Sequence, residues 1–126
     1  MSTILIVEDN EKNMKLVRDI LRHAGHETLE AATGGEGVRL AVSKRPDLVL
    51  MDIQLPDIDG IEALRRIREV RELDAVPVVA VSASVMPDDQ QKIVASGFDA
   101  FVTKPINLRQ FLETVKRFLE GGRAPR

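Results

Sequence analysis

Short apolar runs alternate along the chain with stretches of a different period. Ile4-Leu5-Ile6-Val7, Leu48-Val49-Leu50-Met51, Val78-Val79-Ala80-Val81 and Ala100-Phe101-Val102 are unbroken, and Glu27–Ala31 is a half-polar fifth segment. A strand with one wet face alternates polar and apolar residues, so unbroken runs predict strands covered on both faces, as in a parallel sheet. Glu27–Ala31, the most polar of the set, is expected at the outside of that sheet.

Between the runs the spacing becomes helical. Met14, Val17, Ile20, Leu21 and Ala24 make one apolar stripe, and Gly25 supplies a C-terminal stop. Val38, Leu40, Ala41 and Val42 mark a second helix after Gly34-Gly35, and Ile61, Leu64, Ile67 and Val70 a third after Asp59-Gly60. Pro87 with Asp88 and Asp89 reads as a helix first turn, where proline needs no hydrogen-bond partner and acids suit the dipole. That helix is expected over Pro87 to Ser96. Leu108, Phe111, Leu112, Val115 and Leu119 form the last stripe, with Asn107 as its N-cap.

The order is βαβαβαβαβα, which predicts an α/β fold. A five-stranded parallel sheet, (βα)5, is doubly wound by helices on both faces through right-handed crossovers. At 126 residues the chain is one domain, expected over 1–120, and the glycine-rich end 121–126 is expected to fray. No second domain to carry an output is expected after the fifth helix.

Polar residues fall at the ends of the apolar runs. Glu8 and Asp9 follow the first, Asp52 the third, Ser82 the fourth, and Lys104 the fifth after Thr103. In a parallel sheet these carboxyl ends share one edge, where open α/β folds place their ligands. Singly, each has a plain structural explanation as a cap, a turn former or a surface charge. Together they supply one chemistry. Two carboxylates about 4 Å apart repel by about 4 kcal/mol at an effective dielectric near 20, so the cluster must take up protons or a cation. Carboxylate oxygens suit Mg²⁺, which shares its remaining positions with water and phosphate. Lys104 and Ser82 can hold an anionic oxygen, and Asp52 is the candidate nucleophile of an aspartyl-phosphate.

Composition narrows the remaining classes. Lys and Arg total 18 against 20 Asp and Glu, so the net charge is −2, which disfavours nucleic acid as a direct partner. The absence of cysteine removes disulfides, thiolate metal sites and thiol nucleophiles. Neither a signal peptide nor a run long enough to span a membrane is present, and a cytoplasmic protein with no membrane partner is expected.

Asp9, Asp52 within Leu-Met-Asp-Ile-Gln-Leu-Pro-Asp-Ile-Asp-Gly, Ser82-Ala83 and Lys104-Pro105 resemble the receiver domain of bacterial response regulators, a CheY-like, flavodoxin-like fold. The resemblance runs from Ile4 to about Leu119. Residues 7–16, Met-Asp-Ile-Gln-Leu-Pro and residues 111–117 are most similar to stand-alone regulators of the DivK cell-division type. It implies that Asp52 accepts a phosphoryl group from a phosphohistidine of a sensor histidine kinase or histidine phosphotransfer protein. Asp9 and Asp52 would ligate Mg²⁺ with the Gln54 backbone carbonyl, and Glu8 would act through a metal-bound water. Ser82 and Lys104 would contact the phosphoryl group, with the Lys104–Pro105 bond cis. Phe101 matches the aromatic switch position; as a phenylalanine it has no hydroxyl to find a new partner, and it could equally be a core residue. Gln54 and Ser84 match positions that tune the phosphoryl lifetime.

The implied device is a phosphorelay response regulator, not a turnover enzyme beyond its own phosphorylation and slow autodephosphorylation. Its output is altered affinity for a downstream protein at the fourth helix, fifth strand and fifth helix (about 87–101 and 107–119). The first helix (about 12–24) would dock the phosphodonor, and the chain would be a monomer or weak dimer. Three other readings fit less well. A haloacid-dehalogenase-type phosphohydrolase wants an acid two residues after the nucleophile, where Gln54 stands. A nucleotide- or flavin-binding domain wants glycines after the first strand, where Glu8-Asp9-Asn10-Glu11 would repel phosphate, and Gly34-Gly35-Glu36-Gly37 lacks the fingerprint spacing. A degenerate, phosphorylation-independent binding module would not keep every site position filled. His23 and His26 flank Gly25 and read as surface residues.

Overall fold

The computed structural model describes residues 2–83 and 86–123. The strands are β1 (Thr3–Val7), β2 (Glu27–Ala31), β3 (Leu48–Asp52), β4 (Val78–Ser82) and β5 (Ala100–Thr103). The helices are α1 (Glu11–His23), α2 (Gly34–Lys44), α3 (Gly60–Arg68), α4 (Pro87–Ala95) and α5 (Leu108–Gly121). The sheet is parallel throughout in the order β2-β1-β3-β4-β5, so the half-polar strand is at an edge as its composition requires.

The pleat divides each apolar run between two cores. Leu5, Val7, Val49, Met51, Val78 and Ala80 face Ala41 of α2, Ala63, Leu64 and Ile67 of α3, and Ile93 of α4. Ile4, Ile6, Leu48, Leu50, Val79 and Val81 face Met14, Val17 and Leu21 of α1 and Phe111, Val115 and Phe118 of α5. A slip of one residue in any central strand would exchange its two faces, so the burial on both sides fixes the register.

Several helix ends follow directly from local chemistry. Asn10 caps α1 through the Lys12 and Asn13 N–H groups, and Asn107 caps α5 through the Gln110 N–H. Gly25, at φ 95°, lets the Gly25 and His26 N–H groups fold back onto Arg22 and Leu21 carbonyls, a Schellman ending. Gly60 is required by a close approach. A Cβ there would lie 2.5 Å from the Asp52 carbonyl oxygen.

Four expectations are corrected. Leu108 is exposed rather than part of the α5 stripe, because the first turn of that helix overhangs the carboxyl edge; Phe118 takes a buried place instead. Val70 lies beyond α3 and leads into a short 3₁₀ turn at Arg71–Leu73. His26 is half-buried. The frayed end expected from residue 121 is tied down at its start: Gly121 closes α5, and Arg123 reaches Asp99 (Nε to Oδ1, 3.2 Å) and the Asp74 carbonyl (3.0 Å). Asp99, 3% exposed at its side chain, also accepts from Arg68 and the Val78 N–H, so a buried carboxylate is what recruits the arginine.

The loop after β3 is anchored by Asp57, whose carboxylate accepts from the Gly34 and Gly35 N–H groups at the start of α2 (2.8 and 2.9 Å). Hydrogen bonds from Gly35, Ile58 and Gly34 hold this carboxyl below its ordinary range. A depressed pKa contributes stability that is complete above the unfolded value, near 4, and is lost as pH falls through the folded one. Asp57→Ala is therefore expected to lower Tm by a few degrees at neutral pH. The gap from wild type should close below about pH 4, as followed by circular-dichroism melts across a pH series.

Candidate functional site

Sheet topology carries four side chains to one point. Glu8 follows β1, Asp52 ends β3, and Lys104 follows β5, with Asp9 beside Glu8. One carboxylate oxygen from each of Glu8, Asp9 and Asp52 lies within 4.8 Å of the others. The Lys104 ammonium bridges two of them, 3.0 Å from Glu8 Oε1 and 3.1 Å from Asp52 Oδ2. Glu8 and Asp52 are each only 5% exposed, whereas Asp9 stands in solvent at the rim.

Backbone donors hold the acids in place. The Asn10 N–H donates to Glu8 Oε2 (3.2 Å), and the Gln54 N–H donates to Asp52 Oδ1 (3.1 Å). The main chain just after Asp52 is fixed through Ile53, whose N–H bonds the Val81 carbonyl and whose carbonyl accepts from the Gly60 N–H. Ser82, also 5% exposed, closes β4, and the Lys104 N–H donates to its carbonyl at 2.8 Å. This bond brings the end of β5 against the end of β4. The Lys104–Pro105 peptide bond is cis.

Electrostatics reflects crowding. Burial raises the Glu8 carboxyl above its ordinary range, and its contact with Asp52 pushes the same way, against the lowering influence of Lys104 and the Asn10 N–H. Burial pulls the Lys104 ammonium down, but its bonds to Glu8 and Asp52 outweigh that and raise it, so it stays protonated. With all groups ionised, three carboxylates against one ammonium leave two negative charges uncompensated. A hard divalent cation matches both that excess and the all-oxygen donor set, so these residues fit Mg²⁺.

A cleft of about 280 Å³ opens in front of Asp52, bordered by Gln54, Asp59, Ser82, Lys92 and Lys104 among others. A second depression lies on the other side of the acids, bordered by Glu8, Asp9, Met14, Arg18 and Glu36. Glu8, Asp9, Asp52, Gln54, Ser82 and Lys104 are thus gathered around one point, as their places at strand ends require. Phe101 stands apart, half-buried against the core between the sheet and α2–α4, and Ser84 lies outside the described residues. His23 and His26 are not in this cluster. Sequence reasoning did not single out Asp59 or Lys92 as site neighbours. The Asp-Ile-Asp-Gly turn carries a signal for the first, but a lysine inside a polar helix carries none.

The comparisons agree with this geometry. The response regulator receiver domain family matches residues 4–116. The polar-differentiation response regulators DivK of Brucella anthropi and Brucella ovis are each 44% identical over 117 residues, covering 93% of this chain and 95% of theirs. Among solved structures, the receiver domain of a sensor histidine kinase from Pseudomonas aeruginosa PAO1 carries a magnesium ion coordinated in its active-site cleft. It superposes with a TM-score of 0.89 at 31% identity, covering 95% of this chain and 98% of that one. A CheY-like receiver domain protein from Methanospirillum hungatei JF-1 gives 0.86 at 32% identity, with 95% and 94% covered. No helix of the described residues is long and apolar enough to cross a membrane. With the five-stranded parallel sheet and the acid-lysine cluster in place, the chain belongs to the response regulator receiver domain family.

Proposed function

We propose that this chain is a stand-alone phosphoacceptor switch of a two-component phosphorelay. Asp52 takes a phosphoryl group from a phosphohistidine on a histidine kinase or histidine phosphotransfer protein, and slowly loses it to water. The observation that carries this reading is the Lys104 ammonium spanning Glu8 and Asp52, with Asp9 within 4.8 Å, at the floor of an open cleft. In the forward step an Asp52 carboxylate oxygen attacks phosphorus. The P–N bond breaks, and the imidazole leaves with that electron pair and is protonated.

Asp9, Asp52 and the Gln54 carbonyl would hold Mg²⁺ directly. Glu8, held by Lys104 and the Asn10 N–H, would act through a metal-bound water. When bound, the ion neutralises charge shared by the carboxylates and the phosphoryl oxygens. Lys104 offers its ammonium to a phosphoryl oxygen, and Ser82 its hydroxyl. A phosphoryl group brings about −1.5 to −2 charges, so drawing Lys104 and Ser82 toward it strains the ends of β4 and β5. Phe101 lies three residues from Lys104 on β5 and packs on the α2–α4 side, where it would register that shift. The surface made by α4, β5 and α5 then changes its affinity for a downstream protein. The chain does no turnover on a separate substrate, works as a monomer or weak dimer, and engages no nucleic acid directly.

Incubation with acetyl phosphate and Mg²⁺, followed by peptide mass spectrometry, should place one phosphoryl group on Asp52. Labelling should vanish with a chelator or in Asp52→Asn; modification elsewhere, or multiple turnover of phosphate esters, would overturn the reading.

The charge excess gives a separate prediction. In metal-free buffer Asp52→Asn removes one of two carboxylates competing for Lys104, and should raise Tm by about 2–6 °C, corresponding to about 1 kcal/mol of relieved repulsion. Adding Mg²⁺ should raise the wild-type Tm more than that of the variant in parallel melts.

A further inference from the structure

One wall of the cleft in front of Asp52 belongs to α4, through Asp89, Lys92 and Ile93. Ile93 is buried in the core and fixes the helix against the sheet, while Lys92 is exposed and borders the open space. The cleft therefore has two lysines on its lining. Lys104 is already committed, at 3.0 Å to Glu8 and 3.1 Å to Asp52. Lys92 makes no ion pair among the described residues, and nothing in the acid chemistry of the site requires it.

We infer that Lys92 is a second cationic contact for the phosphoryl group carried by Asp52, so that α4 responds to the modification directly as well as through the ends of β4 and β5. The inference rests on the phosphoacceptor reading of Asp52. Its physical ground is charge: phosphorylation puts a group of about −1.5 to −2 into a cleft also bordered by Asp59 and Asp89. One lysine already shared between two carboxylates is poorly matched to it. A lysine on a flexible four-carbon stem is a mobile point charge that can swing toward the new anion. Its anchor point is a helix of the surface proposed to change, so this contact would join chemistry to output in a single side chain. If Lys92 were only a solvated charge, its removal would leave phosphoryl binding untouched.

Beryllofluoride, a tetrahedral analogue of the phosphoryl group, tests this with the full chain in Mg²⁺. Wild type, Lys92→Gln and Lys92→Arg are titrated, and amide hydrogen exchange is followed over residues 87–95. Lys92→Gln should bind the analogue about three- to tenfold more weakly, with Mg²⁺ affinity in its absence unchanged. Lys92→Arg should bind close to wild type. The protection that α4 gains on analogue binding should shrink in Lys92→Gln alone. Affinity and protection in Lys92→Gln within about twofold of wild type, or an equal loss in Lys92→Arg, would overturn the inference. Asp52 labelling by acetyl phosphate separates the two levels. If wild type labels normally while Lys92→Gln binds like wild type, only Lys92 loses its role; if wild type neither labels nor binds the analogue, the phosphoacceptor reading fails as well.

Discussion

Repulsion among three carboxylates at one edge of the sheet is the constraint that the rest of the molecule contains. Left to themselves, Glu8, Asp9 and Asp52 would swing apart into water. Two of them cannot, because burial, the Asn10 and Gln54 N–H groups and the Lys104 bridge hold them in place. The scaffold behind them is correspondingly stiff. Asp52 closes a strand with every residue buried, its neighbour is bonded to β4, and Gly60 presses against its carbonyl oxygen so closely that no side chain fits. The protein thus spends stability to keep charge concentrated, a common arrangement at functional sites.

The two faces of the sheet divide the work. α1 and α5 pack against Ile4, Ile6, Leu48 and Leu50, and α2, α3 and α4 against the alternate residues of the same strands. β3 is central in the order and belongs to both cores, so Asp52 is the least movable member of the site. β5 is an edge strand of four residues, and Lys104 follows it directly. Charge introduced at Asp52 therefore has a rigid side and a yielding side, and α4 and β5 are on the yielding one.

Much of this was legible in the chain itself. The unbroken runs at Ile4–Val7, Leu48–Met51 and Val78–Val81 give parallel strands because only strands covered on both faces avoid polar positions. The placing of Glu8, Asp9, Asp52, Ser82 and Lys104 at run ends then locates the site before any contact is known. What stayed hidden depends on long-range geometry. Asp57 reads as one more turn acid until the α2 N–H groups are seen 23 and 22 residues away in sequence. Arg123 reads as tail until Asp99 is found buried. Leu108 fits the helical period of α5, but periodicity does not reveal where the sheet beneath a helix ends. Lys92 lies on a helix with a weak stripe, so nothing in its spacing shows which side faces the cleft.

The bond between Asp99 and Arg123 has a mechanical consequence. Asp99 immediately precedes β5 and is pinned by Arg68, Arg123 and the Val78 N–H, while the opposite end of the strand runs into Lys104. β5 is therefore clamped at its foot and backed along its length by β4, and a load at Lys104 would fall on its tip. With the foot held, a tug at the tip would tilt the strand about that foot more readily than slide it. Phe101, between the two, would travel through a fraction of the arc that Lys104 sweeps.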